Sequence, residues 1–157
     1  MQISPKNLQT FTRALGAWLL LVTLGTTALY ASERRVTLEA IHSLENPRNL
    51  TRPGPRGELG AYQFRAETWR MHTTLPFAHA HDRTTSDYVA EKHYEWLKRG
   101  LVSARLAPSP YNIALAWNGG LSAVVTGKSP PAAHRYAERA ANLAVALGAE
   151  RPVAMGR

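Results

Sequence analysis

Glu45 is the residue whose position in this sequence most favours chemistry. It closes a predicted helix and follows Ile41 by one turn, at the edge of an apolar stripe that also contains Val36, Ala40 and Leu44. The negative end of the helix dipole and partial desolvation both disfavour an ionised carboxylate there, so both should raise its pKa. A carboxyl group that keeps its proton near neutral pH can act as a general acid. A carboxylate at a helix C-terminus is in an unfavourable position, and such exceptions to local preferences are typical of functional sites.

The segment that follows Glu45 is predicted to be a long loop. Residues 46–60 contain three Pro, three Gly and three Arg, and proline excludes helix while glycine permits tight turns. The chain then returns on residues 60–64, Gly-Ala-Tyr-Gln-Phe, as a short irregular hairpin. A structureless loop of this length is usually functional or disordered.

Helices must position these segments, and the remaining sequence predicts a mainly α fold. Apolar residues recur at spacings of three and four along a long predicted helix, and the stripe that they form includes the polar His93. Thr84 or Thr85 is its expected N-cap. Ser109-Pro110 and Ser129-Pro130 each combine an N-cap with a helix-starting proline. The predicted helices span residues 33–45, 65–73, 86–104, 111–117, 121–126 and 131–147, the last ended by Gly148.

Composition and the N-terminus indicate an exported basic protein. Of the 157 residues, fifteen are Arg and four are Lys, and the net charge of +8 favours a polyanionic partner. Lys6 and Arg13 precede the uncharged stretch Ala14–Ala31, which predicts a signal peptide or a membrane anchor in residues 1–31. We expect residues 32–147 to form one domain outside the cytoplasm and residues 148–157 to be a flexible tail. Cysteine is absent from the sequence, so disulfides are excluded.

Four stretches in this order resemble the lytic transglycosylase branch of the lysozyme-like superfamily, which includes goose-type lysozyme. They are Leu44-Glu45-Asn46, Gly60 to Phe64, Ala114 to Gly120, and Tyr136 to Ala140. The family pattern has Ser-Gly after the catalytic Glu, where this chain has Asn46-Pro47. It also has Tyr and Ala where this chain has Trp117 and Gly119.

The resemblance implies a periplasmic or envelope enzyme that cleaves peptidoglycan glycan strands without a cofactor. Glu45 would protonate the leaving oxygen and then act as the base, while the C6 hydroxyl of N-acetylmuramic acid closes a 1,6-anhydro ring. Gln63 and Asn118 would contact substrate, Tyr62 and Trp117 would stack on sugar rings, and Tyr136 would hydrogen-bond toward Glu45. The membrane, through residues 14–31, and envelope machinery are possible further partners.

Several alternatives stay open at the level of sequence. A lysozyme-type hydrolase needs a second carboxylate, and the loop offers only Glu58; the scarcity of acids predicts that Glu45 works alone. The departures from the family pattern permit a non-catalytic wall-binding or scaffold protein. A nucleic-acid-binding role is disfavoured by the export segment. His79, His81 and Asp82 lack a motif for a further ligand, so no metal site is predicted.

Overall fold

The computed structural model describes residues 32–150, which are mainly helical, as the sequence predicts. Residues 32–45 form helix α1. The later elements are α2 (Ala66–Arg70), a 3-10 helix (Phe77–His81), α3 (Arg83–Ser103), α4 (Pro110–Gly119), α5 (Leu121–Val125) and α6 (Pro131–Ala149). The predicted export segment and the last seven residues of the predicted tail lie outside the described residues. In the described part of the chain, no helix is long and apolar enough to cross a membrane.

Several predicted helix boundaries differ from those in the structure. Helix α3 begins at Arg83 because Asp82, rather than either predicted threonine, caps it by accepting a hydrogen bond from the Thr85 N–H at 2.7 Å. Helix α2 ends at Arg70 rather than at residue 73. Helix α6 runs through Gly148 to Ala149 because a helical glycine weakens a helix without ending it.

One hydrophobic core joins the helices to the loop return. Trp69 is fully buried, and its indole N–H donates to the Leu75 carbonyl at 2.9 Å. Core residues of α1, α3 and α4, among them Ile41, Leu97 and Ile113, are also fully buried. Phe64 carries the loop return into the same core, which packs the far end of the loop against the helices.

Small side chains let α6 approach its neighbours closely. Ala133, Ala137, Ala140 and Ala144 are its buried residues, spaced four, three and four apart. A methyl group on Gly119 of α4 would lie only 3.0 Å from the Ala133 Cβ. The close contacts bring Tyr136, next to Ala137, within reach of the end of α1.

The predicted irregular hairpin is present. Leu59 and Phe64 form an isolated antiparallel bridge, with N–H to carbonyl distances of 3.0 and 2.9 Å in the two directions. Gly60 has φ of +77°, and a Cβ at this position would lie 1.7 Å from the Ala80 carbonyl oxygen. Only glycine therefore fits where the hairpin packs on the 3-10 helix.

Candidate active site

A cleft of about 430 Å³, called here the Glu45 cleft, lies at the C-terminal end of α1. Its walls come from α1, the long loop and helices α2, α3 and α4. They carry carboxyl, guanidinium, amide and aromatic groups. The lining residues are Glu45, Pro55, Arg56, Glu58, Tyr62, Gln63, Phe64, Arg65, Thr68, His93, Trp117 and Asn118. The predicted site residues are among them except Tyr136, which reaches Glu45 from α6.

Glu45 is half-buried at the last turn of α1 and is held by Tyr136. The Tyr136 hydroxyl donates to Glu45 Oε1 at 2.8 Å, across 91 residues of sequence. Burial raises the pKa of Glu45 above its ordinary value; the hydrogen bond from Tyr136 opposes this rise, and the nearby charge of Glu58 adds to it. The carboxyl group is thereby oriented by a neutral donor and favoured in its protonated form. Those are the two properties that a general acid needs.

Asn46 ties the end of α1 to the loop return. Its buried side-chain amide donates to the Leu50 carbonyl at 2.9 Å and to the Gly60 carbonyl at 3.1 Å, and its oxygen accepts from the Leu50 N–H at 2.9 Å. The residue that departs from the family pattern is therefore used to align Glu45 with residues 60–64. The sequence alone did not reveal this role because the partners are backbone groups.

Glu58 lines the same cleft as Glu45, but its pKa is shifted in the opposite direction. The Arg56 N–H donates to Glu58 Oε2 at 2.8 Å, and this bond is the main cause of the lowered pKa of Glu58. A second carboxylate with a lowered pKa therefore lines the cleft beside Glu45, while the expectation that Glu45 works alone in the reaction stays a prediction. Paired carboxyls whose pKa values are pushed apart are suited to distinct acid and base or charge-stabilising roles.

Gln63 lines the Glu45 cleft from a strained backbone position. Its φ is +46°, in the left-handed region that few non-glycine residues adopt. One amide N–H donates to the Gly60 carbonyl at 3.0 Å. Its other N–H and its oxygen have no partner among residues 32–150, so the predicted substrate contact has to use these.

Tyr62 is not placed for the predicted stacking on a sugar ring. Only 3% of its surface is exposed, and its ring packs against Phe64 and Trp117. Its hydroxyl donates to Asp87 Oδ1 at 2.7 Å, and Arg83 binds the same carboxylate at 2.8 Å. Burial is the main cause of the raised pKa of Tyr62. Tyr62 is therefore a core residue that joins the hairpin to α3.

Trp117 and Asn118 reach the Glu45 cleft from the end of α4. Trp117 is half-buried and packs on the core while lining the cleft, so one part of the ring is available to a ligand. Asn118 is exposed and lines the cleft. Its side chain makes no hydrogen bond with the described residues and is thus free for a substrate.

Three residues line the Glu45 cleft although the sequence predicted no part for them in the reaction. They are His93, Arg56 and Arg65. His93 was counted within the apolar stripe of α3, although a polar residue in such a stripe was itself a signal. The structure places it 7% exposed, in the wall of the cleft. Among the arginines of the loop, Arg56 lines the cleft, whereas Arg48 and Arg52 do not.

Comparison with known proteins identifies no relative. No family model, curated protein or solved structure matches the chain. Among residues 32–150, no group of three or more His, Asp or Glu side chains is arranged so that it could hold a metal ion.

Replacing Tyr136 with Phe should raise the pKa of Glu45 further. The hydroxyl favours the charged carboxylate, so its loss removes the hydrogen bond that lowers this pKa. We expect the titration of Glu45, followed by carbon NMR of its carboxyl group, to move to higher pH. Tyr111→Phe is the matched control, because that hydroxyl bonds His134 at 2.7 Å instead. An unchanged or lowered Glu45 pKa in Tyr136→Phe would contradict the role assigned to the hydroxyl.

Proposed function

We propose that this protein is a peptidoglycan lytic transglycosylase with a lysozyme-like fold. The observation that supports this most directly is the Glu45–Tyr136 hydrogen bond at the wall of an open cleft. The sequence resemblance pairs these residues as catalytic acid and supporting hydroxyl. The bond joins them across the fold, and burial keeps the acid's pKa raised.

In the proposed reaction, Glu45 acts first as an acid and then as a base. Its proton passes to the glycosidic oxygen between N-acetylmuramic acid and N-acetylglucosamine as the bond from that oxygen to C1 breaks. The C6 hydroxyl of the same muramic acid unit attacks C1, and its proton goes to the Glu45 carboxylate. The products are a 1,6-anhydro sugar end and a free N-acetylglucosamine end. No water is consumed, and Glu45 ends the cycle protonated.

The remaining cleft residues fit a glycan substrate. Asn118 and the free amide atoms of Gln63 offer hydrogen bonds to hydroxyl or acetamido groups, and Trp117 offers an apolar surface to a sugar ring. Arg56 and Arg65 bring positive charge to the cleft, which suits the carboxylates of peptidoglycan stem peptides. The substrate lies in the cell envelope, which agrees with the predicted export segment.

A lysozyme-type hydrolase acting on the same bond is the second candidate, and Glu58 favours it. In that reaction an ionised carboxylate stabilises the oxocarbenium-like transition state, acts as nucleophile or activates water. Glu58 is held ionised in the Glu45 cleft.

Mass spectrometry of the digestion products separates the candidates. The purified full-length chain should release soluble fragments from peptidoglycan sacculi, and these should carry 1,6-anhydro ends. Reducing ends without the anhydro sugar would instead indicate the hydrolase. Binding to sacculi with no fragments released would mean a wall-binding protein and would overturn both enzymatic proposals.

A further inference from the structure

A pair of histidines, His72 and His93, lies at the wall of the Glu45 cleft and has no role in the reaction proposed above. His72 Nε2 and His93 Nδ1 are 3.0 Å apart, a hydrogen bond between α3 and the segment after α2. His93 lines the Glu45 cleft, whereas His72 lines a separate groove of about 360 Å³. His72, which lies outside the Glu45 cleft, therefore holds the cleft residue His93 in place.

Aromatic rings hold the His93 imidazole in one orientation. It stacks on Trp96 with the centroids 5.6 Å apart and the planes at 12°. Trp117 meets it edge-on at 4.8 Å, and Phe64 meets it edge-on at 6.3 Å. With this packing and the bond to His72, the ring has little rotational freedom left.

The other ring nitrogen of His93, Nε2, has no hydrogen-bond partner among residues 32–150. Nε2 is not one of the fully buried polar atoms that lack a partner, so it keeps some contact with solvent, and the exposed 7% of His93 lies in a residue of the cleft wall. A single polar atom set among aromatic rings is typical of sites that orient a ligand by one directional hydrogen bond.

Both rings are neutral at neutral pH. Burial lowers the pKa of His93 to about 3, and burial together with the charges of Lys92 and Arg99 lowers the pKa of His72. A neutral imidazole has one N–H and one acceptor nitrogen. The hydrogen bond between the two rings can run in either direction; when the Nε2–H of His72 donates to Nδ1 of His93, rather than the reverse, His93 must carry its own proton on Nε2. It then presents a donor to the cleft.

We propose that His93 is a substrate-binding residue, whose Nε2–H donates to an oxygen of the sugar unit that lies against Trp117. His72 is its positioning residue and sets the tautomer. The inference rests on the proposed function for the identity of the ligand, an N-acetylated sugar. A donor suits that ligand, because the hydroxyl, ring, glycosidic and acetamido oxygens of such a sugar can all accept.

The first test is a kinetic comparison of full-length chains on soluble peptidoglycan glycan strands. His93→Phe keeps the aromatic packing and removes the nitrogens, so KM should rise roughly tenfold with a smaller change in kcat. His81→Asn is the matched control, since that histidine is exposed and outside the cleft, and it should behave as wild type. An unchanged KM in His93→Phe would overturn the inference.

The second test needs no change at His93, so it stands even where His93→Phe fails to fold. Nitrogen NMR of the full-length Glu45→Gln protein should show His93 as the Nε2–H tautomer, and its Nε2 signal should shift when glycan strands are added. In a His72→Phe derivative the tautomers should become mixed. A His93 signal that does not respond to strands while other cleft signals do would overturn the inference and leave the proposed function standing. If wild type neither binds nor cleaves glycan, both fail together.

Discussion

Glu45→Gln should abolish the release of soluble fragments from peptidoglycan, with a loss of roughly 10²–10⁴-fold in rate. Glutamine has the shape of the carboxyl group and can still accept from the Tyr136 hydroxyl, but it has no proton to give to a leaving oxygen. Fragment release by the full-length variant, measured against wild type, checks this. Glu138→Gln, an exposed position on α6, is the matched control and should retain activity.

Glu45→Gln should not destabilise the fold, and its effect on the free energy of unfolding should change with pH in a defined direction. The pKa of Glu45 is raised in the folded state from its ordinary value of 4.5. The stability linked to its proton is therefore fully present below about pH 4.5 and is lost as pH rises through the folded-state pKa. Glu45→Gln lacks this loss, so its free energy of unfolding should gain on that of wild type as pH rises from about 4.5 through the folded-state pKa of Glu45.

Urea unfolding of both proteins across this range tests the pH dependence independently of catalysis. A Gln variant that loses stability relative to wild type as pH rises would mean that Glu45 is stabilised as a carboxylate, which is incompatible with an acid role. An active and well-folded Gln variant would overturn the assignment of Glu45 as the catalytic acid.

Gly60→Ala should be the most damaging single-methyl change in the loop, costing roughly 2–5 kcal/mol of unfolding free energy. The added Cβ would meet the Ala80 carbonyl oxygen at 1.7 Å, and φ of +77° is itself unfavourable for alanine. Relief requires the hairpin to move away from the 3-10 helix, and the Asn46 amide would then lose its bond to the Gly60 carbonyl. We therefore expect activity to fall together with stability.

Gly57→Ala separates the steric clash from the backbone strain. Gly57 has a similar φ of +79°, but a Cβ there would have nothing within 4 Å. It should cost only about 1–2 kcal/mol, from the left-handed backbone alone. Thermal or urea unfolding of both variants provides the measurement, and equal losses would contradict the close packing of Gly60 on Ala80.

Much of the framework could be predicted from local sequence. Prolines, glycines and the capping Ser109 marked helix starts and the loop because their effects act on the backbone within a few residues. The predicted cap at Ser129 was wrong, because Pro130 holds the N-cap position of α6 and the buried Ser129 hydroxyl has no hydrogen-bond partner among residues 32–150. The apolar spacing placed Glu45 at the edge of the α1 stripe. The pairing of Glu45 with Tyr136 was also predicted, though only from resemblance to a family pattern and not from any local rule.

The tertiary structure alone decided what each polar side chain contacts. Tyr62 became a core residue because Asp87, 25 residues later, offers its hydroxyl a partner. Glu58 entered the cleft ionised because the loop folds its carboxylate onto the Arg56 N–H, and His93 acquired a directed nitrogen because His72 holds the other one. The spacing of apolar residues in the sequence indicates which face of a helix is apolar. It carries no information on which distant groups cover that face, and burial by those groups is the main cause of the raised pKa of Glu45 on which the proposed chemistry depends.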